Sequence, residues 1–494
     1  PLQPRIHATA PEPEVTNTEA YPNADPNPVK RTAEAPVSTF SIDVDTAAYS
    51  NVRRYLNQGQ LPPRDAVRVE ELLNYFDYDY LKPKTRSVPF AADLTRVLSP
   101  WNSGKQVIRI GLQGYNVPVE QRPPLNLVFL MDVSGSMGAE NKLPLARKAM
   151  NVLIDQMRPQ DRMSLVVYAG AAGEVLAPTP GTEKLKMRCA LEALNAGGST
   201  AGGAGLKLAY DRAKASYVEK GVNRVILVTD GDFNVGETNN RRLEDYVADQ
   251  RKSGVYLSVY GFGMGNYKDD RLQTLAQNGN GLAGYIDTEA EAFKVFKDDF
   301  AKSLFPIASD VKIQVEFNPA QVSEYRLIGY ETRLLNREDF NNDQVDAGEV
   351  GSGASVTALY EITPVGGAQS VDPLRYGQKT KTGHRSNEIG WLKVRYKLPG
   401  ETQSRLIEQP LPMQVKRPDS ETRFALAVAS YGQLLRRDPW IPNDYDWDAV
   451  MTEAHSGRAH SVALRKDFLD LVQKAKRLSD STKDKAETPK TGTK

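Results

Sequence analysis

The chain has 494 residues, which at about 150 residues per domain predicts three domains, or two with large insertions. Its 63 Lys and Arg residues nearly balance its 62 Asp and Glu residues. The resulting formal charge of +1 offers no field to hold a nucleic acid or an anionic membrane, so we expect no nucleic-acid partner. Apolar runs such as 127–131 and 225–228 are far shorter than the roughly 18 residues of a transmembrane helix, and we expect no membrane span. A single cysteine, Cys189, excludes an intramolecular disulfide and a cysteine-built zinc site.

Both ends of the chain are predicted to be disordered. Residues 1–36 hold eight prolines and almost no apolar periodicity, so they bury too little surface to offset their ordering entropy, and we expect a Pro-rich tether. Residues 479–494 are rich in Lys, Thr and Asp and are expected to form a loose tail. Because the chain begins with Pro1 and not with Met, we expect that an N-terminal segment has been removed, and the sequence leaves open whether a signal or lipid anchor was part of it.

The next segment, 37–121, is predicted to be an accessory α+β domain. Apolar residues recur at helical spacing over Thr46–Leu56 and Val67–Tyr75. Alternation then indicates strands at Val88–Val97 and Lys105–Gly111.

The region 122–305 alternates strands with helices of 10 to 15 residues, which predicts crossover connections. Its first strand, 125–132, contains the unbroken apolar run 127–131, of the kind that is buried on both faces of a sheet. We therefore expect an α/β fold with a doubly wound, mostly parallel sheet. A single helix, Glu289–Leu304, is predicted to end this domain.

After this domain the periodicity returns to two. Five predicted strands between 311 and 415, followed by amphipathic helices at Thr422–Arg436 and Ser461–Leu478, indicate a β-sandwich-like domain over 306–478 that ends in helices. Strands from 88–119 would complete this sandwich sensibly, but the sequence leaves that question open.

Oxygen-bearing side chains follow the first strand of the 122–305 region. Asp132, Ser134 and Ser136 stand at i, i+2 and i+4, so on an extended backbone they point the same way, at the carboxyl edge where open α/β sheets bind ligands. A carboxylate and two hydroxyls suit Mg²⁺ or Mn²⁺ better than zinc. Alone, this triplet fits a helix N-cap equally well.

Two further residues favour a metal site. Thr200 lies in a glycine-rich loop before a helix, and Asp230 ends another apolar strand. The set Asp132, Ser134, Ser136, Thr200 and Asp230 resembles the metal-ion-dependent adhesion site of the von Willebrand factor type A fold. In that family the hydroxyls contact the metal, the aspartates bind directly or through water, and one coordination position is left for the Asp or Glu of a protein ligand.

The wider chain resembles a bacterial subgroup, the YfbK-type proteins with a von Willebrand factor A domain. The resemblance rests on residues 40–80 before the domain and 337–364 after it. Many members of this subgroup are envelope lipoproteins, which implies a periplasm-facing location, with the cytoplasm as the alternative.

The resemblance implies a non-enzymatic protein-binding module that depends on a divalent metal. Two other functions remain open. One is a metal-independent structural component of a bacterial envelope assembly, and the other is a metal-assisted phosphoesterase, which lacks an evident general base near Asp132. Ser199 and Asp232 are expected to support the metal ligands indirectly or to form turns.

A second, weaker cation site is considered in the C-terminal region. Asp339, Asn341 and Asp343 occupy the first, third and fifth positions of a possible Ca²⁺ loop. Gln344 stands where an EF-hand needs glycine, and Val350 replaces the bidentate glutamate, so a polar turn is the favoured interpretation.

Overall fold

The structure of the protein is a computed structural model that describes residues 19–22, 25–42, 45–199, 202–231, 233, 240–263, 268–345, 347–374, 387–457 and 462–487. The strands in these ranges are numbered in chain order as β1 (Lys30–Arg31), β2 (Val37–Ser41), β3 (Phe90–Leu98), β4 (Gln106–Gly114), β5 (Leu125–Asp132), β6 (Arg162–Tyr168), β7 (Ala172–Pro180), β8 (Val222–Thr229), β9 (Val255–Phe262), β10 (Ala283–Ile286), β11 (Pro306–Phe317), β12 (Val322–Ile328), β13 (Leu334–Leu335), β14 (Val350–Gly351), β15 (Ser355–Pro364), β16 (Gly390–Lys397) and β17 (Arg405–Pro410).

The α-helices of the same ranges are numbered likewise as α1 (Ala47–Asn57), α2 (Val69–Asn74), α3 (Leu143–Gln156), α4 (Lys184–Glu192), α5 (Gly202–Ala215), α6 (Asn240–Lys252), α7 (Asp269–Asn278), α8 (Glu289–Phe293), α9 (Phe300–Leu304), α10 (Ser420–Leu435), α11 (Trp447–Ser456) and α12 (Val462–Glu487). No helix in the described ranges combines the length and the apolar character that a membrane crossing requires.

The central domain contains the predicted doubly wound sheet. Its strand order is β10-β9-β8-β5-β6-β7, and every neighbouring pair is parallel except β6 with β7. Alternate residues of β5 face opposite sides, because side chains of a strand alternate. Phe129 packs in the cluster that contains α3 residues, while Leu130 packs in the cluster that contains α5 residues. The expected α/β fold class is therefore confirmed.

The antiparallel edge strand β7 was not predicted from the sequence. Its sequence, AGEVLAPTP, is mostly half-buried or exposed and includes two prolines. Proline cannot donate a ladder hydrogen bond and is tolerated in a sheet chiefly at an edge, so the segment carries little strand signal of its own.

The segments on either side of the central domain form one β-sandwich. One sheet has the order β1-β12-β15-β4-β3, and the other has β13-β2-β11-β16-β17 with β14 paired to β11. In the first sheet β4 lies between β3 and β15, so strands from before and after the central domain are neighbours. The prediction of a separate accessory domain over 37–121 is therefore wrong. Its strands close the sandwich that 306–410 begins.

A helical layer covers the outer face of the first sheet of this sandwich. It is formed by α1, α2, α10, α11 and α12 and shares one apolar core with sheet residues such as Val107 and Leu359. Phe76 is at its centre, with its ring centroid 4.8 Å from that of Phe424 and 5.7 Å from that of Phe468.

Two buried ion-pair clusters join the helical layer to the central domain. Arg68 donates to Asp269 at the start of α7, with 2.6 Å from Nη1 to Oδ2, and to Glu71 of its own helical segment. Arg53 of α1 donates from Nη2 to Glu291 of α8 at 2.8 Å and also pairs with Asp287. The central domain is thus joined to the helical layer by buried ion pairs as well as by the covalent chain.

Three expectations about element boundaries need correction. Residues 25–36 are not a tether, because β1 pairs with β12 and Val29 is buried; residues 1–18 lie outside the described part of the chain. The predicted tail is helical as far as Glu487, since α12 continues to that residue. The single final helix predicted at 289–304 is interrupted by a π-helical turn at Lys294–Asp298.

Candidate metal centre

The candidate centre lies at the carboxyl edge of the central sheet, where β5, β6 and β8 end side by side. Asp132 is the last residue of β5 and is paired in register with Tyr168 of β6. Asp230 follows β8 directly, and β8 is the parallel neighbour of β5 on the other side. Because carboxyl ends of parallel strands meet at one edge, two carboxylates that are far apart in sequence are placed on the same rim.

The carboxylate of Asp132 is fully buried and held by three donors. Oδ1 accepts a hydrogen bond from the Ser134 amide at 2.9 Å, and Oδ2 accepts from the hydroxyls of Tyr168 at 3.1 Å and Thr229 at 3.4 Å. Burial raises the pKa of Asp132 above its ordinary value, and the nearby Asp230 carboxylate raises it further, while the Ser134 hydrogen bonds oppose the shift. A buried carboxylate whose charge is disfavoured in this way gains from a cation beside it.

The two serines of the motif lie together next to Asp132. Their hydroxyl oxygens are 3.1 Å apart. Two oxygens bound in adjacent positions to one Mg²⁺ at about 2.1 Å would lie roughly 3 Å apart, so this spacing fits an octahedral ion. Ser134 is buried and Ser136 is exposed, which leaves the site accessible from the Ser136 side.

A glycine-rich loop is attached to this motif through its backbone. The Gly197 amide donates to the Val133 carbonyl at 2.8 Å, and the Gly135 amide donates to the Gly198 carbonyl at 3.0 Å. Gly198 has a φ of +84°, a left-handed conformation that favours glycine. Ser199 follows at the surface beside the motif. Thr200 and Asp232, the other predicted site residues of this rim, lie outside the described residues.

The structure adds one residue that the sequence did not reveal. The Lys142 ammonium donates to Asp230 Oδ2 at 2.8 Å, and both side chains are largely shielded from water. Lys142 precedes α3 and belongs to no periodic pattern, so its sequence context contains no signal of this contact.

The described donors suit a hard divalent cation. They are one carboxylate, two hydroxyls and a second carboxylate across the rim, and no histidine is present anywhere between 122 and 305 in the sequence. Oxygen-only donor sets are typical of Mg²⁺ and Mn²⁺ sites. The residues present therefore fit the ion that the motif implies.

The C-terminal loop considered for Ca²⁺ has its oxygens engaged elsewhere. Asp339 accepts from the Asn336 amide at 2.8 Å, and Asp343 accepts from Arg395 and Ser404, while Asn341 is exposed. The Lys312 ammonium donates to the loop carbonyls of Asp339 and Asn342. In the described residues of this loop Lys312 and Arg395 thus supply positive charge, which favours the polar-turn interpretation. No group of three or more His, Cys, Asp or Glu residues suited to a metal is found in the described ranges.

Comparison with known families agrees with this architecture. The model of the von Willebrand factor type A domain matches residues 126–300, and a model described as "von Willebrand factor" matches residues 15–109. A third model, "Uncharacterized protein YfbK, C-terminal", matches residues 302–478. A von Willebrand factor type A domain is a protein-interaction domain.

Among individual proteins, "Uncharacterized protein YfbK" of Escherichia coli (strain K12) is 42% identical over 472 residues, covering 94% of this chain and 82% of that protein. The protein sll0103 of Synechocystis is 26% identical over 336 residues, covering 66% of this chain and 75% of its own length. Inter-alpha-trypsin inhibitor heavy chain H4 of Homo sapiens is 28% identical over 206 residues, which cover 40% of this chain and 22% of that protein.

Among solved structures, a von Willebrand factor type A protein from Catenulispora acidiphila has a TM-score of 0.45 and 17% identity, covering 81% of this chain and 91% of that one. Proximal thread matrix protein 1 from the mussel byssus, with a zinc-occupied MIDAS motif, has a TM-score of 0.30 and 19% identity, covering 42% of this chain and 46% of that one. The extent and identity of the match to YfbK, together with the three family models, establish that this chain belongs to the YfbK family of von Willebrand factor type A domain proteins.

Proposed function

We propose that the chain is a non-enzymatic protein-binding module whose ligand contact depends on a divalent metal. The observation that carries the proposal is the cluster of Asp132, Ser134 and Ser136 on the same sheet rim as Asp230. The two serines would contact the ion, and Asp132 and Asp230 would bind it directly or through water. Thr200 is proposed as a further ligand from the sequence resemblance alone.

The chemistry of this donor set favours binding over bond breaking. When bound, a divalent cation supplies an electrophilic position that an acidic side chain of a partner can occupy. Hydroxyl donors leave more of the ion's charge unneutralised than carboxylates would. The exposed side of Ser136 gives a partner access to the rim. We therefore propose a protein ligand that presents Asp or Glu, with Mg²⁺ or Mn²⁺ as the ion.

Calorimetric titration of the full chain with MgCl₂ and MnCl₂ tests the metal site. Asp132→Ala is expected to weaken binding by more than about a hundredfold, because even residues that only support metal ligands contribute 10- to 100-fold. Asp155→Ala is the matched control, since Asp155 is an exposed carboxylate paired with Arg188 in the same domain. Equal affinity in folded Asp132→Ala and in the wild type would contradict the proposal.

Capture of a partner tests the functional half of the proposal. Bait protein in MnCl₂ is expected to retain an acidic ligand that is released by EDTA and is absent from the Asp132→Ala bait. The same ligand should stay on the Asp155→Ala bait, which separates loss of the site from a general change in surface charge.

A second candidate function is a metal-independent structural component of an envelope assembly. Arg68 and Arg53 hold the central domain in place without any contribution from the candidate metal centre. Capture that persists in EDTA and with Asp230→Ala would support this function.

A metal-assisted phosphoesterase is the least favoured alternative. A phosphatase screen in MgCl₂ that detects turnover, with that turnover lost in Asp132→Ala, would support it.

We propose a location at the bacterial cell envelope, facing the periplasm, from the resemblance to the YfbK-type proteins. Fractionation of cells that express the complete gene is the test. Recovery of the protein in the cytoplasmic fraction would favour the alternative compartment.

A further inference from the structure

Lys142 places its ammonium group at the candidate metal centre. Its Nζ donates to Asp230 Oδ2 at 2.8 Å, with 11% of the lysine side chain and none of the aspartate side chain exposed. An ammonium that is removed from water to this extent is normally held by a carboxylate, because unpaired burial of a charge is costly. The contact is therefore a buried ion pair and differs from the many solvated pairs on the surface of this chain.

The stem of Lys142 lies in a space that a glycine provides. Gly263, directly after β9, has a φ of +78°, and a Cβ added there would lie 2.6 Å from Lys142 Cγ. The Gly263 carbonyl accepts a hydrogen bond from the Tyr285 hydroxyl, which holds this turn against β10. Asp230 after β8 and Gly263 after β9 thus lie against the lysine, and Tyr285 of β10 holds Gly263 in place.

Lys142 also changes the charge that a metal would meet. Among the described residues of the rim, Asp132 and Asp230 supply the negative charge and Ser134 and Ser136 are neutral. With the ammonium present, the net negative charge of these groups falls from that of two carboxylates to that of one. It also occupies Oδ2, one of the two Asp230 carboxylate oxygens available to a cation or to its bound water.

We propose that Lys142 is an internal counter-cation that competes with the divalent metal for Asp230 and so sets a low metal affinity. The inference rests on the proposed metal dependence and extends it to the control of occupancy. Metal binding then requires the Lys142–Asp230 pair to loosen, and the centre fills only when the free ion concentration is high enough to overcome it.

Metal titration of the Lys142→Met variant tests the inference. Methionine keeps the length of the apolar stem and removes the charge, so MnCl₂ is expected to bind at least roughly tenfold more tightly than to the wild type, from the lost repulsion and the freed oxygen. Lys148→Met is the matched control, because Lys148 is an exposed lysine of α3 paired with Glu289. Its removal changes net charge equally and is expected to alter the affinity less than about twofold.

A second variant and a second readout guard against misfolding. Lys142→Gln should show the same direction of change. In thermal melts MnCl₂ should raise the Tm of either variant more than that of the wild type, because a tighter ligand stabilises the folded state more at the same concentration.

The outcomes separate this inference from the proposed function. If the wild type binds Mn²⁺ and the Lys142 variants bind it no more tightly, the role of Lys142 is overturned and metal dependence stays intact. Binding by the variants but not by the wild type would support the role of Lys142 and contradict metal dependence in the native chain. No binding by any of these proteins would overturn both.

Discussion

The buried guanidinium of Arg68 is predicted to be among the most stabilising single groups between the helical layer and the central domain. The residue is 1% exposed and donates to Asp269 at 2.6 Å and to Glu71 at 3.1 Å. Arg68→Met would leave both carboxylates buried. Glu71 would keep its donors at the Ala48 amide and Gln273, and Asp269 would lose the Arg68 guanidinium. Breaking a buried pair of this kind costs about 3–5 kcal/mol of unfolding free energy.

Urea denaturation followed by tryptophan fluorescence measures this cost. The four tryptophans are Trp101, Trp391, Trp440 and Trp447, all outside the central domain, so the signal reports the sandwich and the helical layer. With a slope near 3 kcal/mol per M, a loss of about 3–5 kcal/mol lowers the urea midpoint by about 1 M or more.

An exposed pair provides the control for this experiment. Lys82 and Asp79 are 4.0 Å apart with 77% and 58% of their side chains exposed, so Lys82→Met is expected to change stability by less than about 1 kcal/mol. In a double-mutant cycle, Arg68→Met and Asp269→Asn together should cost less than the sum of the single changes. A midpoint for Arg68→Met equal to that of Lys82→Met would refute the reasoning.

Three further predictions concern a buried acid, the aromatic core and the glycine loop. Burial, together with the Glu331 and Glu71 carboxylates, raises the pKa of Glu70 from 4.5 to about 7. Between these values the folded chain holds a proton that the unfolded chain releases, so stability should fall by about 3 kcal/mol as the pH rises through this window, and Glu70→Gln should flatten the slope. Phe76→Ala should lower the unfolding free energy by about 3–5 kcal/mol. Gly198→Ala should cost about 1 kcal/mol and weaken Mn²⁺ binding severalfold, because alanine resists the positive φ that orients the loop.

Each of these predictions has a result that would contradict it. A pH–stability slope that Glu70→Gln leaves unchanged would assign the titration to another group. Leu81→Ala, at a side chain that is 63% exposed, is the control for Phe76→Ala, and equal losses in the two variants would deny the aromatic core its role. Unaltered metal affinity in Gly198→Ala would show that the loop geometry does not influence the centre.

The central sheet was largely predictable from the sequence because its determinants are local. Continuous apolar runs such as 127–131 need burial on both faces of a sheet. The helices between the strands have the length that crossover connections require. The same logic placed Asp132 and Asp230 on one rim, since each directly ends or follows a strand whose direction was already determined. Residues at strand ends inherit their position from the sheet, so their proximity needs no further information.

Tertiary structure decided the features that depend on which distant segments share a surface. The pairing of β4 with β15 joins segments separated by the whole central domain, and their alternating patterns are compatible with many partners. The π-helical turn at Lys294–Asp298 leaves the helical pattern of the flanking residues recognisable and so escaped prediction. The contact of Lys142 could not be predicted, because a lysine can pair with any carboxylate within reach. Only folding brings Asp230 and Gly263 to it. Sequence periodicity determined the helices, the strands and the sheet edge that carries Asp132 and Asp230. Through-space contacts leave no periodic pattern in the sequence, and they decided which charged groups pair and which segments pack together.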